Sequence, residues 1–178
     1  MMRLYEYQGK ELLKTYNIPV PEGRVASTPA EAVAIYQELD KEVVLKAQVL
    51  AGGRGLAGGV KFASSTKEVK TLAEGLFSNE IRGLPVKKLL VEEKIDIRDE
   101  YYLALMLDRT RKKPILLGTT QGGVSIEKMA HEQPEMLSTV PINPLVGAFE
   151  YHGLELFSKF DLSPEIRKKI SYLIKGLY

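Results

Sequence analysis

The stretch Val43–Phe62, V-V-L-K-A-Q-V-L-A-G-G-R-G-L-A-G-G-V-K-F, constrains this chain more than any other. A strand-like apolar run carries Lys46. A loop with five glycines and Arg54 follows, and Val60-Lys61-Phe62 returns to strand-like residues. Glycine lets backbone N–H groups approach an anion closely, because no Cβ intervenes. Lys46 and Arg54 add positive charge beside those amides, which suits a nucleotide polyphosphate. A ligand-free hairpin turn is the plainer alternative, and the two cations weigh against it.

Three familiar phosphate loops do not fit. Gly53-Arg54-Gly55-Leu56-Ala57-Gly58 is a literal G-x-G-x-x-G, but a dinucleotide fingerprint opens a helix directly after a strand. Here the next helix begins only near Ser65. With Val60 the run also matches the glycine-rich loop of protein kinases, yet no H-R-D or D-F-G occurs. No glycine is followed by Lys-Ser or Lys-Thr, so a P-loop is excluded.

At 178 residues, 44% of them hydrophobic, the chain can build one domain or one domain with two lobes. With 25 basic and 23 acidic residues it carries no nucleic-acid footprint. Cysteine is absent, which removes disulfides, thiolate metal sites and thiol nucleophiles. The start, M-M-R-L-Y-E, has no apolar signal region, and no apolar run approaches the roughly 18 residues of a membrane span. The reading is a soluble, cytoplasmic protein with no nucleic-acid or membrane partner.

Periodicity predicts a helix over Leu4–Tyr16 with Tyr5, Leu12, Leu13 and Tyr16 on one apolar face, stopped by Asn17 and Pro19. A short strand at 23–27 precedes the capping box Thr28-Pro29-Ala30-Glu31 and a helix facing inward through Ala32, Ile35, Tyr36 and Leu39. A second box, Ser65-Thr66-Lys67-Glu68, opens a helix with Val69, Leu72, Ala73 and Leu76 inside. Strands are expected at 41–49, 88–94, 100–108 and 115–120, a short helix at 125–132 and a turn at 109–113. Residues 137–149 read as irregular, 151–160 as helical, and Ser163-Pro164-Glu165 as the start of a last helix. Adjacent strands without intervening helices indicate an α+β fold with mainly antiparallel sheets.

Three separated segments carry a resemblance: L-Y-E-Y-Q-G-K-E-L-L, L-K-A-Q-V-L-A-G-G-R-G-L-A-G-G-V-K and T-T-Q-G-G-V-S-I-E-K-M-A. In this order and spacing the chain resembles the beta subunits of succinyl-CoA synthetase (succinate–CoA ligase, ADP- or GDP-forming), over its whole length. Malate–CoA ligase and citrate-cleaving beta subunits share these motifs. The resemblance implies an ATP-grasp fold of two lobes, with residues 23–95 as the first lobe and residues 1–22 plus 96–178 as an incomplete second. It implies ATP or GTP with Mg2+, an alpha-subunit partner that carries a phosphohistidine, and succinate and CoA as substrates of the complete complex. Carried over by position, Lys46 contacts the phosphates and Gly53, Arg54 and Gly55 cover them. Glu92 and Ile95 meet the base, Ile95 through its backbone, and Glu100 lies by the ribose. No catalytic residue falls in this stretch. The metal ligands and the C-terminal ligase domain of that family lie beyond Tyr178, so the piece is expected to be inactive alone.

Each assignment has a plainer counterpart. Lys46 on a buried strand is costly unless a carboxylate pairs with it. Glu92 and Glu100 also fit solvated strand ends. Gln121-Gly122-Gly123 fits a tight turn better than an anion site, and Arg109–Lys113 fits a solvated hairpin turn. His131 and His152 lack ligand partners at metal spacing.

Overall fold

The computed structural model describes residues 3–178, which divide into two compact units, one ending at Asp96 and the other running Ile97–Tyr178. The first unit contains α1 (Glu6–Thr15), β1 (Gly23–Ala26), α2 (Pro29–Leu39), β2 (Val43–Ala47), β3 (Val60–Ala63), α3 (Thr66–Phe77), the short β4 (Glu80–Ile81) and β5 (Leu84–Pro85), and β6 (Leu89–Glu93). Its main sheet has the order β1-β6-β2-β3, and every pairing is antiparallel.

Strand alternation divides the labour of this sheet. Val43, Leu45, Ala47, Leu89 and Val91 point to one face and pack on Ala32 and Ile35 of α2 and Val69, Ala73 and Leu76 of α3. Leu45 and Leu89 are fully buried, each worth roughly 1.5–3 kcal/mol of transfer free energy. The other face presents Val44 and Lys46 from β2 beside Leu90 and Glu92 from β6.

Both N-caps form, while the Glu31 and Glu68 carboxylates reach one residue further back than a capping box requires, accepting from Ser27 and Ser64 N–H at 2.7 and 2.8 Å. The Thr28 hydroxyl accepts from Glu31 N–H at 3.1 Å, and the Ser65 hydroxyl accepts from Glu68 N–H at 3.3 Å. Asn17 takes a positive φ of 56° just past α1, as a left-handed stop requires.

The first helix departs from its expected role. The Leu4–Tyr16 pattern predicts an apolar face, but α1 buries no residue, and Leu12 and Tyr16 are 51% and 61% exposed. Polar links hold α1 instead. Tyr7 N–H donates to Gln48 Oε1 at 3.2 Å, and Lys88 Nζ donates to the Tyr7 hydroxyl at 3.1 Å. Lys10 reaches Glu92. These contacts put α1 in the first unit, whereas the sequence grouping joins residues 1–22 to the second lobe.

The second unit contains β7 (Tyr102–Asp108), β8 (Lys113–Thr119), α4 (Ile126–Glu132), β9 (Ser138–Pro141), α5 (Glu150–Leu156) and α6 (Pro164–Leu177). Its sheet has the order β7-β8-β9, again antiparallel. Leu116, Val140, Ile142, Leu156, Phe157, Ile170 and Ile174 form its core. At the β7–β8 turn, Asp108 Oδ1 accepts from the N–H groups of Thr110 and Arg111 at 2.9 and 3.0 Å.

In two places the second unit differs from the sequence expectation. Residues 137–149 hold a strand, β9, hidden in the sequence by Pro141; it sits at a sheet edge, where a missing donor is tolerated. The helix expected over 151–160 ends at Leu156. Gly153 lets α5 close on α6, since a Cβ there would lie 2.7 Å from Ser171 Cα.

Candidate functional site

The polar face of the first sheet carries a five-member ionic cluster. Lys46 from β2 and Glu92 from β6 stand diagonally across adjacent strands, because the register sets Lys46 opposite Leu90 and Glu92 opposite Val44. Lys46 Nζ pairs closely with Glu92 Oε1. Lys10 Nζ from α1 takes the other oxygen, Oε2, at 2.5 Å. Glu92 is 1% exposed, so both its oxygens are satisfied by cations inside the fold.

Glu6, at the start of α1, extends the cluster outward. Its Oε1 lies 3.2 Å from Lys10 Nζ and 3.3 Å from Lys46 Nζ. Its Oε2 pairs closely with Arg54 Nη2, while Arg54 Nη1 donates to the Ala47 carbonyl at 3.2 Å. Burial works to raise the Glu6 pKa, but the charges of Lys46, Arg54 and Lys10 and the Arg54 hydrogen bond prevail and hold it at about 2. Three cations against two carboxylates leave the cluster one positive charge in excess.

The glycine loop is compact. Ala57 N–H donates to Gly53 O at 3.2 Å, Gly58 N–H to Gly55 O at 3.0 Å and Gly59 N–H to Arg54 O at 2.8 Å. Gly53 and Gly58 hold φ of 67° and 78°, the left-handed region that favours glycine. The N–H groups of Gly52, Gly53, Arg54, Gly55 and Leu56 donate to no backbone carbonyl among the described residues. Donors in that state suit an anion. The guanidinium of Arg54, from the same loop, meets Glu6, the carboxylate that also pairs with Lys46.

Next to the cluster is a cavity of about 240 Å³ between α1 and the β1/β6 edge of the sheet. Tyr7, Lys10, Val20, Pro21, Leu90 and Glu92 line it, mixing apolar walls with a few polar groups. Gly23, also in the lining, lets β1 lie close against Glu92, since a Cβ there would sit 2.4 Å from the Glu92 Cβ.

The sequence-predicted residues therefore separate. Lys46, Arg54 and Glu92 meet in one cluster, with Gly53 and Gly55 flanking Arg54. Lys46 does have the carboxylate partners that a buried lysine requires, and it remains 22% exposed. Glu92 turns its carboxylate to two ammonium groups as well as to the cavity. Ile95 lies just past β6 and is 51% exposed. Glu100 belongs to the second unit, where its carbonyl accepts from Gly122 N–H at 2.8 Å. Gly122 and Gly123 pack closely against it, where Cβ atoms would lie 2.4 Å from Glu100 Cγ and 3.1 Å from Glu100 Oε2. His152 is buried, and its Nδ1 accepts from Phe149 N–H at 3.0 Å at the start of α5. No group of three or more His, Asp or Glu among the described residues is placed to hold a metal ion.

Sequence reasoning gave Glu6 and Lys10 no role. Their i, i+4 spacing was the available signal, but such a pair is ordinary on any exposed helix. Only the sheet beneath reveals what they reach.

Comparison with known proteins gives the family of the chain. A family model described as an ATP-grasp domain matches residues 3–178. The GDP-forming succinate–CoA ligase beta subunit of Thermus thermophilus is 44% identical over 173 residues, covering 97% of this chain and 46% of that protein. The ADP-forming beta subunit of Bacillus subtilis is 42% identical over 185 residues, covering 99% and 48%. The chain thus spans about half the length of the curated relatives it matches. Among solved structures, Ca. Korarchaeum cryptofilum ACD1 in complex with coenzyme A aligns with a TM-score of 0.74 at 23% identity, covering 97% of this chain and 77% of that one. The ATP citrate lyase of Methanothrix soehngenii aligns at 0.66 with 18% identity, covering 98% and 42%, a likeness of fold alone. From the strand-loop-strand unit to the antiparallel sheets of both units, the chain belongs to the ATP-grasp family.

Proposed function

We propose that this chain is the nucleotide-binding portion of a succinate–CoA ligase beta subunit, working with an alpha subunit on succinate and CoA at the expense of ATP or GTP. The observation that carries the reading is that Glu6 gathers Lys46 and Arg54 together, Arg54 itself belonging to a loop with five N–H groups that donate to no backbone carbonyl among the described residues. The relatives, at 42–44% identity, support the same reading.

The donor set fits a polyphosphate: two side-chain cations, amides free of backbone partners and one excess positive charge. Lys46 and Arg54 would neutralise phosphate oxygens, and positioned donors of this kind are the main resource of phosphoryl transfer. The cavity beside Glu92 offers the apolar walls that a purine requires. The resemblance assigns Ile95 to the base and Glu100 to the ribose. Mg2+, when bound, supplies further charge neutralisation at the phosphates. Its protein ligands are assigned outside this stretch. No helix among the described residues is long and apolar enough to cross a membrane, and the reading places the protein in the cytoplasm.

Calorimetric titration of the chain with Mg-ATP and with Mg-GTP tests the proposal. Binding of at least one, lost in Lys46→Ala, is the expected result. No binding, or binding untouched by the substitution, overturns it. A coupled assay of the full-length beta subunit with its alpha partner, across succinate, malate and citrate, identifies the acyl acid.

A further inference from the structure

We infer that Glu6 is a positioning residue for the phosphate-binding cations: its carboxylate, presented by α1, clamps Arg54 of the glycine loop beside Lys46 of β2. This deepens the nucleotide-binding reading and rests on it.

The glycine loop is chemically open but conformationally loose. With five glycines in its ten residues 50–59, it loses much backbone entropy on ordering. Its side-chain anchor is Arg54, held by the Ala47 carbonyl at 3.2 Å and by Glu6. Arg54 and Lys46 also repel each other. Glu6 answers both problems by giving Oε2 to Arg54 and Oε1 to Lys46, so one carboxylate spans the two cations.

Glu6 is itself fixed. Lys10, one turn on, holds its Oε1 at 3.2 Å and ties the helix to buried Glu92. Tyr7 fastens the same turn to Gln48 and Lys88. With no buried apolar residue, α1 owes its placement to these contacts, and they set Glu6 where the loop arginine meets it.

Two accounts of Glu6 predict opposite signs. If it merely lowers local charge, Glu6→Gln adds one net positive charge and tightens triphosphate binding. If it positions the cations, the same change frees Arg54 and weakens binding despite the gained charge.

The test uses the chain as it stands, with Mg-ATP titration and, separately, amide hydrogen exchange and trypsin cleavage at Arg54 without nucleotide. Glu6→Gln is expected to weaken Mg-ATP about tenfold, the scale of one charge-assisted contact. It should also speed exchange at Ala57, Gly58 and Gly59 and speed cleavage at Arg54. Glu6→Asp, which keeps the charge, should recover part of each effect, and it serves as the probe if the Gln variant does not fold. Unchanged or tighter binding, or an unchanged loop, overturns the inference. A loosened loop in a chain whose wild type binds no nucleotide overturns the functional reading instead and leaves the clamp as a structural feature.

Discussion

Glu92 lies diagonally across the strand pair from Lys46, and the two close an ion pair on the sheet face away from the hydrophobic core. A charge pair at 1% exposure on the carboxylate side is worth less as stabilisation than as a fixed placement of the ammonium group. Removing one partner strands the other. Lys46→Met is therefore expected to destabilise the chain by about 2–4 kcal/mol, softened by Lys10, while Lys46→Met with Glu92→Leu recovers most of that loss. Urea unfolding of the two variants checks it. A double variant as unstable as the single would refute the pairing account.

Acid should act through Glu6 over a defined window. Its folded-state pKa is depressed from 4.5 to about 2, so the unfolded chain binds the proton first. The stability it contributes is complete above its ordinary value and drains away as pH falls from 4.5 through about 2. Unfolding free energies measured from about pH 6 to pH 2 should show a shallower acid limb in Glu6→Gln than in the wild type. Parallel limbs would exclude Glu6 as a source of acid sensitivity.

Gly23 is expected to tolerate no side chain. An alanine Cβ would stand 2.4 Å from Glu92 Cβ and 2.6 Å from Val91 O, against backbone and a packed carboxylate. Gly23→Ala should cost about 1–3 kcal/mol by overpacking, shown as a lower urea midpoint. It should also disturb the adjoining cavity, so weakened nucleotide binding accompanies it.

Arg54→Ala should weaken ATP far more than adenosine, because Arg54 and the loop amides serve the anionic end of the ligand. Titration with both ligands checks this, and equal losses would remove Arg54 from the phosphate site.

Gly153→Ala probes the second unit. The added methyl would meet Ser171 Cα at 2.7 Å, where α5 and α6 pack together. Thermal melts should show a loss of several degrees, roughly the effect of 1–2 kcal/mol in a chain of this size.

Much of the fold is legible along the chain, for local reasons. Thr28 and Ser65 announce α2 and α3 because an N-cap is a short-range hydrogen bond. Strands β2 and β6 open with the apolar runs Val43–Leu45 and Leu89–Val91, Lys46 stands out within its strand and Arg54 among glycines. The features that escape the sequence are non-local. The apolar pattern of α1 suggests a core helix, but its fate is set by Gln48, Lys88 and Glu92, up to 82 residues away. Strand β9 exists through its pairing with β8, which no stretch around Pro141 announces. Glu6 and Lys10 fall inside a motif the sequence shows, yet their work depends on a register between β2 and β6 that only the folded sheet supplies.

The first helix is an element whose named attachments are polar hooks, with no fully buried side chain. Its address is written in Glu6, Tyr7 and Lys10, while Leu12 and Tyr16 face water. Sequence drift can therefore rewrite the outer side of this helix freely, and a library screened for folding should find three intolerant positions amid permissive ones. The usual pattern, in which greasy positions are the guarded ones, is inverted here.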